Sequence, residues 1–330
     1  MIQKMLKAIC PAILLLAGVA GAQAQTNLAN FNFPNGVNGV AIDYIAGRAY
    51  VLLNNGFTDG SNAVQVINTK TLQPMNIFST GGPSGAIAVN VVTGTVYVAG
   101  TEGNGPEVVA FNPTTGARIA TIPVSSNMGP GIVAIAVNPV KNEVFVSNDT
   151  DNNLVVINGA TNAVTGTVSF AGAIPAGVAV NFLNNKVYVA LSTNQVALYS
   201  VKTGIVTYTN ADPNPSGNSV TGVAVDPDLG KAYVTNPGYP GTVDLFNGKD
   251  KLVKTLPVGT YATSVDVDYT KEIGFVANQE GTVSIIDGDE KEVIGTVMAT
   301  SASGSNTVNV DSVQHTLWIA GFSDVAVFTE

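Results

Sequence analysis

The chain has 330 residues, with 14 basic and 23 acidic side chains for a formal net charge of −9, one cysteine and one histidine. That acidic balance disfavours nucleic acid as a partner, because non-specific affinity for a phosphate backbone comes from basic contacts. A single cysteine excludes an internal disulfide framework, and a single histidine argues against histidine-based metal sites and Ser-His-Asp catalysis.

Residues 1–24 read as an export signal. Lys4 and Lys7 open it, an apolar run follows from Ile9 to Ala20, and Ala22-Gln23-Ala24 supplies the small-x-small cleavage pattern. The run is about a dozen residues, short of the roughly twenty that span a bilayer. Cys10 precedes the run, the wrong place for lipid attachment. Cleavage after Ala24 leaves residues 25–330 without cysteine, so the expected location is the periplasm or the cell exterior, and the core must hold without disulfides.

From residue 40 onward the chain repeats. Val40-Ala41-Ile42-Asp43 is followed by Ala49-Tyr50-Val51, and Ile87-Ala88-Val89-Asn90 by Val96-Tyr97-Val98. The same pairing recurs at Asn138 with Phe145, Asn181 with Tyr188, Asp226 with Tyr233, Asp268 with Phe275 and Asp311 with Trp318. In all seven the aromatic stands seven residues after the Asn or Asp. A third alternating strand follows each pair, as in Val64–Ile67 and Val325–Phe328, then in most repeats an Asx-led turn and a fourth strand such as Leu252–Leu256. Four antiparallel strands every 42 to 48 residues predict an all-β fold, a seven-bladed β-propeller. The seventh repeat ends at Glu330 after its third strand, and Asn27–Phe33 supplies a spare strand to close blade seven and remove an open edge.

Tyr233-Val234-Thr235-Asn236 spells the motif of the YVTN-family, or YncE-like, β-propeller repeat proteins, which this chain resembles over essentially its whole length after residue 24. Tyr188-Val189-Ala190, Phe145-Val146-Ser147-Asn148 and Phe275-Val276-Ala277-Asn278 look like degenerate copies, while the Gly-His and Trp-Asp signatures of the WD40 class are absent. The resemblance is specific for fold and poor for function. It implies that first-to-second and third-to-fourth turns share one face, the bottom. Second-to-third and inter-blade loops then share the other, the top. Bottom first-to-second turns have one length throughout, whereas the top gap from aromatic to third strand runs from seven residues (Trp318 to Val325) to fourteen (Tyr50 to Val64). Variable loops on a rigid scaffold carry function, so the top is the expected ligand face.

Charges sort by face as well. Arg48, Lys70, Lys141, Lys186, Lys202, Lys231, Lys249, Lys251, Lys271 and Lys291 fall at or beside bottom turns, with Arg118 and Lys254 on outer strands. Top loops carry Asp59, Glu102, Asp149, Asp151, Asp212 and Glu280, with Glu107 and Asp324 at loop ends. The candidate ligand-binding residues are these acids' and aromatics' most prominent members: Phe57, Asp59, Glu102, Tyr239, Tyr261, Glu280 and Phe322. Asn148, Asp149, Asp151 and Asn153 begin like a calcium loop, but Leu154 stands where the glycine belongs and Ala160 where the closing Glu belongs. They are the candidate ligands of a weak Ca²⁺ site, the one cofactor considered.

Propeller enzymes such as lactonases place carboxylates, Asn, Arg or His at the top of the channel. Here the starts of the innermost strands are Gly39, Ala86, Ala134, Gly177, Gly222, Ser264 and Thr307, and within the strands only Asp266 and Asn309, on adjacent blades, are polar. The expectation for them is a hydrogen-bonded channel pair rather than a catalytic one. His315 reads as an exposed turn residue. The expected function is therefore a monomeric binding or scaffold protein. It would take another protein or a cationic ligand on an acidic face, with no assigned catalytic residue. The alternatives are a lactonase-like hydrolase or lyase, and single-stranded DNA binding as in some relatives, which would need basic residues beside the top aromatics.

Overall fold

The computed structural model describes residues 25–55, 62–82, 84–101, 105–127, 131–211, 219–299 and 307–330. Every regular element among them is a strand, and the strands form seven four-stranded antiparallel sheets. Residues 1–24, expected as an export signal, lie outside the described residues, and no helix among those described is long and apolar enough to cross a membrane.

The register of the repeat has a physical origin. Each innermost strand leads into a buried Asn or Asp. Asp268 accepts the N–H and hydroxyl of Thr270, and in the other six of the seven the Oδ1 accepts the backbone N–H groups two and three residues on. Asn138 does so from Val140 and Lys141, Asp226 from Asp228 and Leu229, and Asp311 from Val313 and Gln314. The fourth residue past the Asx takes positive φ: Gly47, Gly94, Asn142, Asn185, Gly230, Glu272 or His315. Gly and Asn tolerate that conformation best. Because an Asx side chain caps the turn and the fourth residue past it takes positive φ in all seven blades, each second strand starts at a fixed offset. Tyr50, Tyr97, Phe145, Tyr188, Tyr233, Phe275 and Trp318 then stand directly across from Ala41, Ala88, Ala136, Ala179, Ala224, Asp266 and Asn309.

Those rings are the wedges between blades. Tyr50 packs with Val96 and Val98 of blade two, Phe145 with Val187 and Val189 of blade four, and Trp318 with Ala49 and Val51 of blade one. A small residue opposite each ring in five blades leaves room for it. The approach is close enough that a side chain at Gly288 of blade six would collide with the Tyr233 hydroxyl. Seven apolar clusters result, one at each junction, so the core is a ring of interfaces rather than a single centre.

Closure follows the strand arithmetic. Thr307–Asp311, Thr316–Ala320 and Asp324–Thr329 form three strands of blade seven, and Asn27–Asn32 pairs antiparallel with the last of these, Asn32 opposite Asp324. Phe31 lies flat on Trp318, centroids 6.2 Å apart with planes 6° from parallel, and Phe33 stands 6.5 Å from Phe31. Both phenylalanines are half-buried, because a fourth strand lies at the outer rim of its blade.

Candidate functional site

The innermost strands frame a central cavity of about 530 Å³. It is lined by the residues at the starts of those strands, including Gly39, Ala86, Ala134, Gly177, Gly222, Ser264 and Thr307, as far down as Val40, Val180, Val225 and Asn309. Three of the residues that directly follow an Asx are aromatic: Tyr44, Phe182 and Tyr269. The Phe182 and Tyr269 rings meet edge to face at 6.5 Å although blade five separates their blades, and the Tyr44 hydroxyl bonds to Tyr269 across blade seven. Burial pushes the Tyr44 hydroxyl up to about 12. Rings from blades one, four and six can meet only across the axis. The cavity is thus a cup, open on the top face and floored by aromatics near the bottom.

The polar side chains of the cup wall are concentrated in blades five to seven, although Asn38 of blade one also lines it and Val223, Val225, Val265 and Val308 interleave with the polar groups. Blades one to four contribute Gly39, Val40, Ile87, Ala134, Ile135, Val178 and Ala179. Blades five to seven contribute Thr221, Thr263, Ser264, Asp266, Thr307 and Asn309. Asp266 and Asn309 are not bonded to each other. Asp266 Oδ1 accepts the N–H of Val267 and Oδ2 that of Val310, each at 2.9 Å, which ties blade six to the innermost strand of blade seven. Burial raises its pKa to about 6, against the opposing pull of those two N–H donors. The Thr307 hydroxyl is buried without a partner among the described residues.

On the top face the sequence-selected residues separate. Tyr239 is 73% exposed and Phe322 51%. Tyr261 is half-buried with its ring 5.9 Å from that of Tyr239. Glu280 accepts the Thr282 hydroxyl at 2.9 Å, and bonds from Thr260 and Thr282 hold its carboxyl below the usual range. Phe57, Asp59 and Glu102 lie outside the described residues. In the loop with calcium-like spacing, Asp151 Oδ1 accepts the Asn127 amide at 2.6 Å and Oδ2 the Asn148 amide at 3.1 Å, while Asn148 Nδ2 also reaches Asn153 Oδ1 at 3.4 Å. Asp149 is raised by burial. A cation here would have to displace amide donors from both Asp151 oxygens.

On the bottom face, several of the basic residues clamp neighbouring blades together. Lys186 of blade four reaches Asp250 of blade five at 2.6 Å, and Lys231 of blade five reaches Glu272 and Asp289 of blade six at 2.7 and 2.8 Å. Arg48 donates to Thr114 of blade two at 3.2 Å. His315, expected as a plain exposed turn residue, is half-buried with Nδ1 3.0 Å from Asp268 Oδ2. Sequence reasoning missed this pairing because it links two blades. It also missed the aromatic floor, although Tyr44, Phe182 and Tyr269 share one position in the repeat, directly after the Asx.

The fold and cavity define a closed seven-bladed β-propeller with a one-ended central cup. No protein-family model matches the sequence, and no curated protein matches it.

Proposed function

We propose that this chain is an exported binding propeller of the YVTN, or YncE-like, type that admits a ligand from its top face, a cationic group directed at Asp266 and an apolar body against blades one to four. The observation that carries this reading is the cavity itself: framed by the seven innermost strands, with Asp266 the one ionisable residue among those lining it. A cavity of this size with a few convergent polar groups suits a small organic ligand. A carboxylate in a poorly hydrated pocket favours an ammonium group over a neutral isostere. The acids Asp151 and Glu280 and the exposed Tyr239 and Phe322 on the surrounding loops would steer and contact a basic partner at the mouth. The YVTN-like motif supports the kinship, and the pattern Lys4, Lys7, Ile9–Ala20 and Ala22-Gln23-Ala24 supports export with cleavage after Ala24.

A thermal-shift screen of small primary amines against alcohols of matching shape tests the cup. Amines should stabilise the protein more than their alcohols at pH 7, and Asp266→Asn should erase the difference. Amines and alcohols that behave alike in the wild type would overturn the assignment.

A further inference from the structure

The Asx residues at the bottom do more than cap their own turns. Asn90 of blade two donates to Asn142 Oδ1 of blade three at 2.8 Å, and Asn138 of blade three donates to Asn185 Oδ1 of blade four at 2.7 Å. In each case the acceptor is the positive-φ residue of the next blade's turn. Between blades six and seven the same two positions hold Asp268 and His315. There alone among the described joints an imidazole meets a carboxylate, and a second carboxylate joins them.

That second carboxylate is Glu330. Its side chain is fully buried, no backbone N–H or hydroxyl among the described residues donates to either oxygen, and the groups it faces are the Asp268 carboxylate, close enough to share a proton with it, and Lys271 at 3.4 Å. The backbone fixes it in place, because the Glu330 N–H donates to the His315 carbonyl at 3.1 Å. Asp268 is fully buried too. Its Oδ1 is occupied by the Thr270 N–H and hydroxyl, which leaves Oδ2 directed at His315. His315 Nδ1 lies 3.0 Å from Asp268 Oδ2 and 3.8 Å from Glu330 Oε2, and the three ligand atoms all lie within 4.8 Å of one another. Ligands about 2.0–2.2 Å from a metal are separated from each other by about 3–4 Å in tetrahedral or octahedral geometry.

We infer that Asp268, His315 and Glu330 form a site for a divalent metal of the zinc or manganese class, bridging blades six and seven at the bottom face. One imidazole and two carboxylates suit such ions better than calcium, which takes six to eight oxygens. The Thr270 bonds to Asp268 supply the outer hydrogen bonding that fixes a metal ligand's orientation. Charge also balances, since two carboxylates neutralise one divalent ion. Lys271, half-exposed, can turn into solvent when the ion enters. The site is at the opposite face from the cup and is independent of it.

Untagged full-length protein, stripped with chelator, tests the site by calorimetric titration and thermal melts with ZnCl₂, MnCl₂ or CaCl₂. Zinc or manganese should bind one equivalent and raise Tm saturably, and calcium should not. His315→Asn restores the residue that the equivalent joints of blades three and four use, so it keeps the fold while removing the imidazole. That variant and Glu330→Gln should each weaken binding by about tenfold or more. A stoichiometry other than one, a Tm response equal in wild type and His315→Asn, or calcium acting as well as zinc would overturn the proposal.

Discussion

Phe31→Ala withdraws the ring that lies flat on Trp318 while leaving the backbone pairing of Asn27–Asn32 with Asp324–Thr329 in place. A fully buried Phe→Ala change costs about 3–5 kcal/mol. Phe31 is half-buried at the rim of blade seven, so about half of that applies, and the loss expected is about 2 kcal/mol with the aromatic pair included. Trp318 is the sole tryptophan and is fully buried, so its fluorescence reports this junction and no other. In a urea titration of the wild type, tryptophan emission and far-UV circular dichroism should move together, as a cooperative ring requires. In Phe31→Ala the emission should change at lower urea than the circular dichroism, because the blade-seven seam opens before the sheets melt. Leu28→Ala, on the same strand but 44% exposed, should shift stability by less than about 0.5 kcal/mol. A Phe31→Ala protein with both transitions at their wild-type positions would refute the view that the N-terminal strand holds the ring closed.

The bottom relay and the cup make further predictions. Asn138→Ala removes the acceptor for Val140 and Lys141 and the donor to Asn185, and should cost about 2–3 kcal/mol. Asn138→Asp keeps the turn cap but sets a carboxylate against the Asn185 oxygen, and should cost less; equal urea midpoints for the two variants would contradict this division. The Asp266 carboxyl titrates near 6 in the folded state against an ordinary 3.8, so the folded state holds that proton more tightly. Its effect on stability is neutral below about pH 4 and increasingly unfavourable as the pH rises to about 6. Contact with cavity water limits the loss to about 1–2 kcal/mol. The stability difference between wild type and Asp266→Asn should therefore change across that window, and a flat difference from pH 4 to 7 would count against the assignment.

The fold was legible because local chemistry dictates it. The Asx cap and the aromatic seven residues on are both determined within one repeat, and seven copies reveal the blade number, while the count of strands reveals the closure. What concerns one blade's relation to the next was not legible. Asp268 and His315 are 47 residues apart, Lys231 and Asp289 are 58 apart, and no periodicity within a repeat pairs them. The channel shows the same divide. Ala41, Ala88, Ala136, Ala179 and Ala224 recur at one position of the repeat, and each stands opposite a wedge aromatic. The aromatic floor below them depends on three side chains from non-adjacent blades meeting on the axis, which only the ring geometry brings about.

The two faces use their polar groups differently, and this difference bears on where a ligand can act. At the bottom, Lys186, Lys231, Asn90, Asn138 and Asp268 each make at least one bond to the following blade, so altering any one loosens a joint of the ring. At the top, bonds from loop residues stay mostly within one blade or its own loops. Asn236 donates to Thr242, Asn278 to Thr282 and Ser284, and Asn38 and Asn54 exchange amide bonds. The Asn of the Tyr-Val-Thr-Asn motif therefore pins the second strand to the third inside its blade. A loop held in this way can change length or charge without unpicking a junction, as the seven-to-fourteen-residue spread of top gaps shows. Ring integrity rests on the bottom relay and the aromatic wedges, which leaves the top loops and the cup mouth free to be shaped by what they bind.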